Sequence, residues 1–153
     1  MTNAKPDDFS HFVAAQKDVF SVAMEELRAG AKTSHWMWFV FPILSGLRMT
    51  AMSMRYALAG PGSAAQYLEH PVLGPRLLEA VAVVHQQVCG TGVPVPVLMG
   101  SRMDAQKLVS SLTLFEAVAS QDTLVQHARA VLKAAEAQGI PPCAHTLAAL
   151  AAA

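Results

Sequence analysis

Charge is scarce in this chain. Asp, Glu, Lys and Arg make up 14% of its 153 residues, the acids and the bases number 11 each, and the formal net charge is zero. A nucleic-acid-binding module carries a basic excess, and none is present. Hydrophobic residues reach 53%, which with zero net charge excludes an intrinsically disordered chain. So few charges cannot cover the whole outside, so part of the apolar surface is expected to meet a partner, and a homodimer is the simplest form of that expectation. Cysteine is nearly absent. Cys89 and Cys143 stand far apart with no CxxC spacing, which argues against a zinc knuckle or redox pair and predicts two free buried thiols in a reducing cytosol. Long apolar runs are missing too. The longest, WMWFVFPIL, has nine residues and contains a proline, against the ~20 that a membrane span needs. The start, MTNAKPDDFS, lacks the apolar stretch of a signal peptide. HExxH, GxSxG, GxxxxGK[ST] and GxGxxG do not occur, so no motif calls for a metal or a cofactor. A cytoplasmic location is expected, with no membrane and no nucleic acid as partner.

What is present is mostly helix pattern. Phe9, Phe12, Val13, Gln16, Phe20, Ala23 and Leu27 keep a three-and-four spacing, which predicts one amphipathic helix. Asp7 or Asp8 is placed to cap it, Gly30 to end it, and Lys17, Asp18, Glu25, Glu26 and Arg28 fall on its solvated side. A second helix is predicted from Ser45 to Ala59, with Leu44, Leu47, Ala51, Arg55 and Leu58 along one stripe and Met49, Met52 and Met54 around it. Gly60-Pro61-Gly62 stops it. Ser63 and Gln66 have capping-box spacing for a short helix. The stretch from His70 to Val88 reads as a long helix with Pro71 or Pro75 in its first turn. VPVPVLMGSRM reads as an irregular link whose prolines limit strand pairing. Asp104 is the expected N-cap of a helix with Leu108, Leu112, Phe115 and Ala119 inward. Another helix starts at Ser120 or Asp122 and ends at Gly139, and an alanine-rich turn follows Pro141-Pro142. No stretch sustains period-two alternation and no fixed repeat appears. The reading is all-α: one domain over 1–153, a compact bundle of five to seven helices with its ordered core at about 7–138 and an alanine-rich tail at 141–153.

One stretch departs from this background. GAKTSHWMWFVFPILSG, from Gly30 to Gly46, holds both tryptophans and two of the six phenylalanines beside Lys32, Ser34 and His35. Together with FVAAQ, YLEHPVLGPRLLE and MDAQKLVSSLTLFEAV, it resembles the family known as domain of unknown function 1810. The resemblance runs along nearly the whole chain and rests on long, unusual strings. It implies an all-helical, single-domain cytoplasmic protein, widespread in bacteria, and supplies no activity. Some members carry the label calpastatin, yet nothing here resembles the disordered inhibitory repeats of that protein. The chain departs from the family pattern in two places. Ile43 stands where a glutamine usually follows Phe-Pro, and Gly100-Ser101-Arg102-Met103-Asp104 stands where the family has a Gly-x-Pro-Asp turn.

The side-chain types of the unusual stretch define a candidate ligand site. Lysine binds anions, histidine donates, accepts or transfers protons, and tryptophan stacks rings. The bland alternative is a tight turn in which Ser34 caps, His35 holds a backbone carbonyl, and Trp36 and Trp38 fill the core. His70 and Arg76 lie at a helix entrance suited to an anion. Asp104, Lys107 and Ser111 share a helix face, with Ser110 beside them, so they either wall a pocket or form an ordinary intrahelical pair. The candidate site therefore comprises Lys32, Ser34, His35, Trp36, Trp38, Arg76, Lys107, Ser110 and Ser111, for a phosphorylated or nucleotide-like small molecule. His35 is the acid–base candidate; no paired carboxylate or nucleophile completes a catalytic set, so enzymatic activity stays open. The alternative function is a protein–protein or self-association module without catalysis.

Overall fold

The Phe9–Leu27 face folds as two helices joined by a turn. The computed structural model describes residues 8–47 and 50–153. In it α1 spans Ser10–Gln16 and α2 spans Phe20–Arg28. At the break, Lys17 N donates to Ala14 O and Val19 N to Gln16 O, the tighter winding common at helix ends. No proline or glycine marks this turn. The pattern survives it, because Phe12, Gln16, Ala23, Met24 and Leu27 are all buried. Asp8 does serve the start, accepting from Ser10 N at 2.9 Å, while Asp7 lies outside the described residues. Gly30 adopts φ +91, the left-handed stop expected of it.

After α3 (Met37–Val40), the predicted Ser45–Ala59 helix shrinks to α4 (Ala51–Arg55). Its expected stripe is buried at both ends, but by a different route. Leu44 and Leu58 form an isolated parallel bridge, with Ser45 N donating to Leu58 O at 2.8 Å and Leu58 N to Ile43 O at 2.9 Å. Thr50 caps α4 by accepting from Ser53 N. Met52 and Met54 point outward, and Met49 lies outside the described residues.

Helix α5 (Pro61–Glu69) starts with Pro61 behind Gly60, so Ser63 sits inside the first turn and does not cap. Helix α6 (Leu73–His85) continues into a π-helical turn at Gln86–Thr91 and stops at Gly92, φ +85. The link expected to be irregular contains a short helix, α7 (Val95–Met99). Helix α8 (Arg102–Val118) follows, then α9 (Asp122–Ala137) and α10 (Ala144–Ala152). Among the described residues there are thus ten α-helical segments, more than five to seven, because the sequence pattern merges α1 with α2 and passes over α3 and α7. All-α holds.

Helix α8 is the axis of the molecule. Helices α5, α7, α9 and α10 all pack on it, and residues 108–115 are buried without interruption. A helix buried all round must satisfy its own polar side chains. Thr113 Oγ1 does so by donating to Val109 O at 2.6 Å, and Ser110 Oγ by donating to Gln106 O at 3.0 Å, the back-bonding that serine and threonine use in helices. The alanine-rich end at 141–153 carries α10, whose Thr146 is fully buried. Among the described residues no helix is long and apolar enough to cross a membrane.

Candidate functional site

Two anchors hold the aromatic segment. The first is Glu26 of α2, which faces the chain and not bulk water. Its Oε1 accepts from Thr33 N at 2.7 Å, Ser34 N at 2.9 Å and Trp36 Nε1 at 3.0 Å, and its Oε2 accepts from Ser34 Oγ. Burial acts to raise the pKa of this carboxyl, but the bonds from Ser34, Thr33 and Trp36 outweigh it and lower it to about 2. The second anchor is α7. Lys32 N donates to Leu98 O at 2.7 Å, and a Cβ on Gly100 would come within 2.8 Å of Lys32 O. Gly100 also has φ +82. Both facts require glycine at that position.

Held this way, Lys32 reaches α8. Its Nζ lies 2.8 Å from Asp104 Oδ2, and Lys107 Nζ lies 3.3 Å from Asp104 Oδ1. Asp104 is free for this because it is not the N-cap. Ser101 caps α8, accepting from Asp104 N at 3.0 Å, and Asp104 stands one turn in. The Lys32 and Lys107 side chains are only 7% and 11% exposed, and that of Asp104 19%. Burial pushes the Asp104 carboxyl up, but the two ammonium groups prevail and hold it below its ordinary value. Each lysine also lies over an indole: Lys32 Nζ is 5.1 Å from the Trp36 ring centre and Lys107 Nζ 5.0 Å from that of Trp38, within cation–π range.

Among the described residues two cations therefore share one anion in a nearly dry setting, leaving one positive charge uncompensated. Buried charges ordinarily come paired. Beside Lys107 is a cavity of about 10 Å³ lined by Met37, Trp38, Phe41, Ile43, Ser53 and Tyr56, room for a single water. Ile43 gives this cavity an apolar wall.

The nine expected residues divide. Lys32, Trp36, Trp38 and Lys107 converge. Trp36 is fully buried and Trp38 half-buried, so one indole is a core plug and the other a cavity wall. Ser34 is consumed by Glu26. His35 is exposed, and the carbonyl bond expected of it in a tight turn is not made. Ser111 is fully buried on the Lys107 face of α8, and its Oγ has no partner. Ser110 sits next to Cys143 at the start of α10. Burial raises the pKa of that half-buried thiol, but the hydroxyl groups of Ser110 and Thr146 beside it and the backbone amides of Thr146 and His145 lower it overall, while Cys89 is exposed, so neither cysteine is the buried thiol expected. Arg76 belongs to another place. Its Nη1 donates to Gln16 Oε1 at 3.3 Å, its guanidinium lies 5.6 Å from the Phe20 ring centre, and it lines a separate groove with Lys17 and His70.

Sequence reasoning missed Glu26, which it left on the solvated side of the first helix. It also missed Ser53 and Tyr56 as cavity walls. Nothing local marks them, since their partners lie in other elements. Among the described residues no group of three or more His, Cys, Asp or Glu side chains could hold a metal ion.

Residues 6–139 match the model of a family described as "Protein of unknown function (DUF1810)". A solved structure, that of the conserved hypothetical protein Rv1873 from Mycobacterium tuberculosis, is similar at a TM-score of 0.82 and 40% sequence identity. The match covers 96% of this chain and 99% of the other. No curated protein matches.

Proposed function

The chain belongs to the DUF1810 family, whose function is unknown, and we propose that it binds a small phosphorylated ligand at the Lys32–Asp104–Lys107 cluster. One observation carries the reading: two nearly buried ammonium groups share a single carboxylate, which leaves a site one negative charge short. An oxygen of a phosphate, taking the place of one water in the cavity beside Lys107, would supply that charge where the low dielectric strengthens it. The half-buried Trp38 gives a flat ring something to stack against. The cavity is too small for a whole nucleotide, so only the anionic end enters. Catalysis is not part of the reading, because exposed His35 has neither a positioned partner nor a nucleophile.

The test is thermal unfolding with inorganic phosphate, adenosine 5′-monophosphate and adenosine. Phosphate and the monophosphate raise the melting temperature and adenosine does not. At a hundred times the dissociation constant the gain is about 2.7 kcal/mol. Lys107→Gln abolishes the effect, and His35→Ala keeps it. An equal gain in Lys107→Gln, or none with either anion, overturns the proposal. In the second case a dimer by light scattering at micromolar concentration would put the self-association reading in its place.

A further inference from the structure

We infer a second binding site, separate from the first: the groove between α1 and the start of α6 takes a small organic carboxylate with an apolar body. The groove has a volume of about 500 Å³, within the ordinary range of small-molecule sites, and it combines an apolar floor with a few convergent polar groups as such sites do. Phe9, Val13 and Ala14 form the floor, and Lys17, His70 and Arg76 supply the donors.

Two of the donors, His70 and Arg76, are held in place by their neighbours. His70 Nδ1 accepts from Val72 N at 3.1 Å and Leu73 N at 3.2 Å. That fixes the tautomer of the neutral ring with its proton on Nε2, leaving Nε2–H to donate. The ring is braced edge-on against Phe9, with centres 6.3 Å apart. Arg76 is half-buried and pinned through one nitrogen. Its Nη1 bonds Gln16 Oε1, while Gln16 Nε2 donates to Phe39 O at 2.5 Å and to the Tyr67 hydroxyl at 3.0 Å. The guanidinium thus hangs from a buried polar network, and its Nε and Nη2 donors remain for a planar oxyanion.

Charge selects the class of ligand. Among the described residues, Lys17 and Arg76 bring two positive charges to the groove and Asp8 brings one negative, a net charge of one. A monoanion neutralises it. The apolar floor of Phe9, Val13 and Ala14 gives an anion with an apolar body a contact that bare phosphate cannot make, while the small cavity beside Lys107 admits only an anionic end, so the two sites should divide their ligands by shape.

The experiment is amide-resolved NMR of the full chain titrated with benzoate, with benzyl alcohol as the neutral counterpart and inorganic phosphate as the competing anion. Benzoate gives saturable shifts at residues 9–17 and 70–76, at least tenfold tighter than benzyl alcohol or phosphate at the same amides. Arg76→Met weakens benzoate at least tenfold. Should that variant lose its fold through Gln16, Lys17→Met, which alters an exposed side chain, weakens it at least threefold. Lys107→Gln leaves the benzoate titration unchanged, so the two sites fail separately. The inference is overturned if millimolar benzoate moves no amide in these segments, if benzyl alcohol binds as well, or if neither variant weakens binding.

Discussion

The lysine cluster and the Arg76 groove carry the same net charge and hold it in opposite ways. At the cluster, Lys32 and Lys107 are 7% and 11% exposed and sit over two indoles, and Lys107 faces a cavity of about 10 Å³. At the groove, Lys17 is exposed, Arg76 is half-buried, and about 500 Å³ stands open. Water stabilises the groove charges until a ligand arrives. The cluster charges have lost most of their water and depend on Asp104, so desolvation makes that carboxylate a structural requirement. A closed site is selective and sensitive to substitution, while an open one is permissive and tolerant.

The largest test of this contrast removes the shared carboxylate. Asp104→Ala leaves two nearly buried ammonium groups unpaired and should cost about 3–5 kcal/mol, read as a lower urea midpoint. Next is the clamp that shapes the segment. Glu26→Gln loses part of an acceptor that serves Thr33, Ser34 and the buried Trp36 Nε1, a loss of about 1–3 kcal/mol. It also changes the pH profile. Glu26 has a folded pKa of about 2 against 4.5 when free, so its contribution is complete above pH 4.5 and disappears as pH falls from 4.5 toward 2. Melting between pH 7 and 3 should therefore be flatter in Glu26→Gln than in the parent chain. A smaller effect is expected at Gly100→Ala, where the left-handed backbone costs about 1–2 kcal/mol and Lys32 O must give way. The smallest is Lys17→Met in the groove, which should stay within about 0.5 kcal/mol. A large loss there, or a small one at Asp104, would erase the distinction between the two regions.

The two regions also differ in how far they could be read from sequence. The all-α class and most buried faces follow from three-and-four spacing, which reports local burial. Even Gln16 falls on the core face that the spacing predicts, although its partners Phe39 and Tyr67 come from other elements. Capping was misread where two good N-cap residues stand three apart. Ser101 and Asp104 fit the role equally in sequence, and geometry assigns it to Ser101. The Ser45–Ala59 stretch has helix-like spacing, yet Leu44 and Leu58 satisfy burial through an extended bridge, which spacing alone does not separate from a helix. Residue types pointed to Lys32, Trp36, Trp38 and Lys107. His70 and Arg76 stand together at one helix entrance in the sequence, but that Lys17 joins them depends on the packing of α6 against the N-terminal helices, which no local signal encodes.

The most direct measurement uses the fact that the chain has two tryptophans, hence two indole N–H signals in a nitrogen–proton correlation spectrum. Titration with adenosine 5′-monophosphate should move the Trp38 signal saturably and move Trp36, locked on Glu26, much less. Neither should move in Lys107→Gln. If both signals stay fixed at saturating monophosphate, or if Trp38 shifts equally in Lys107→Gln, the lysine cluster is not an anion site and the account fails at its centre.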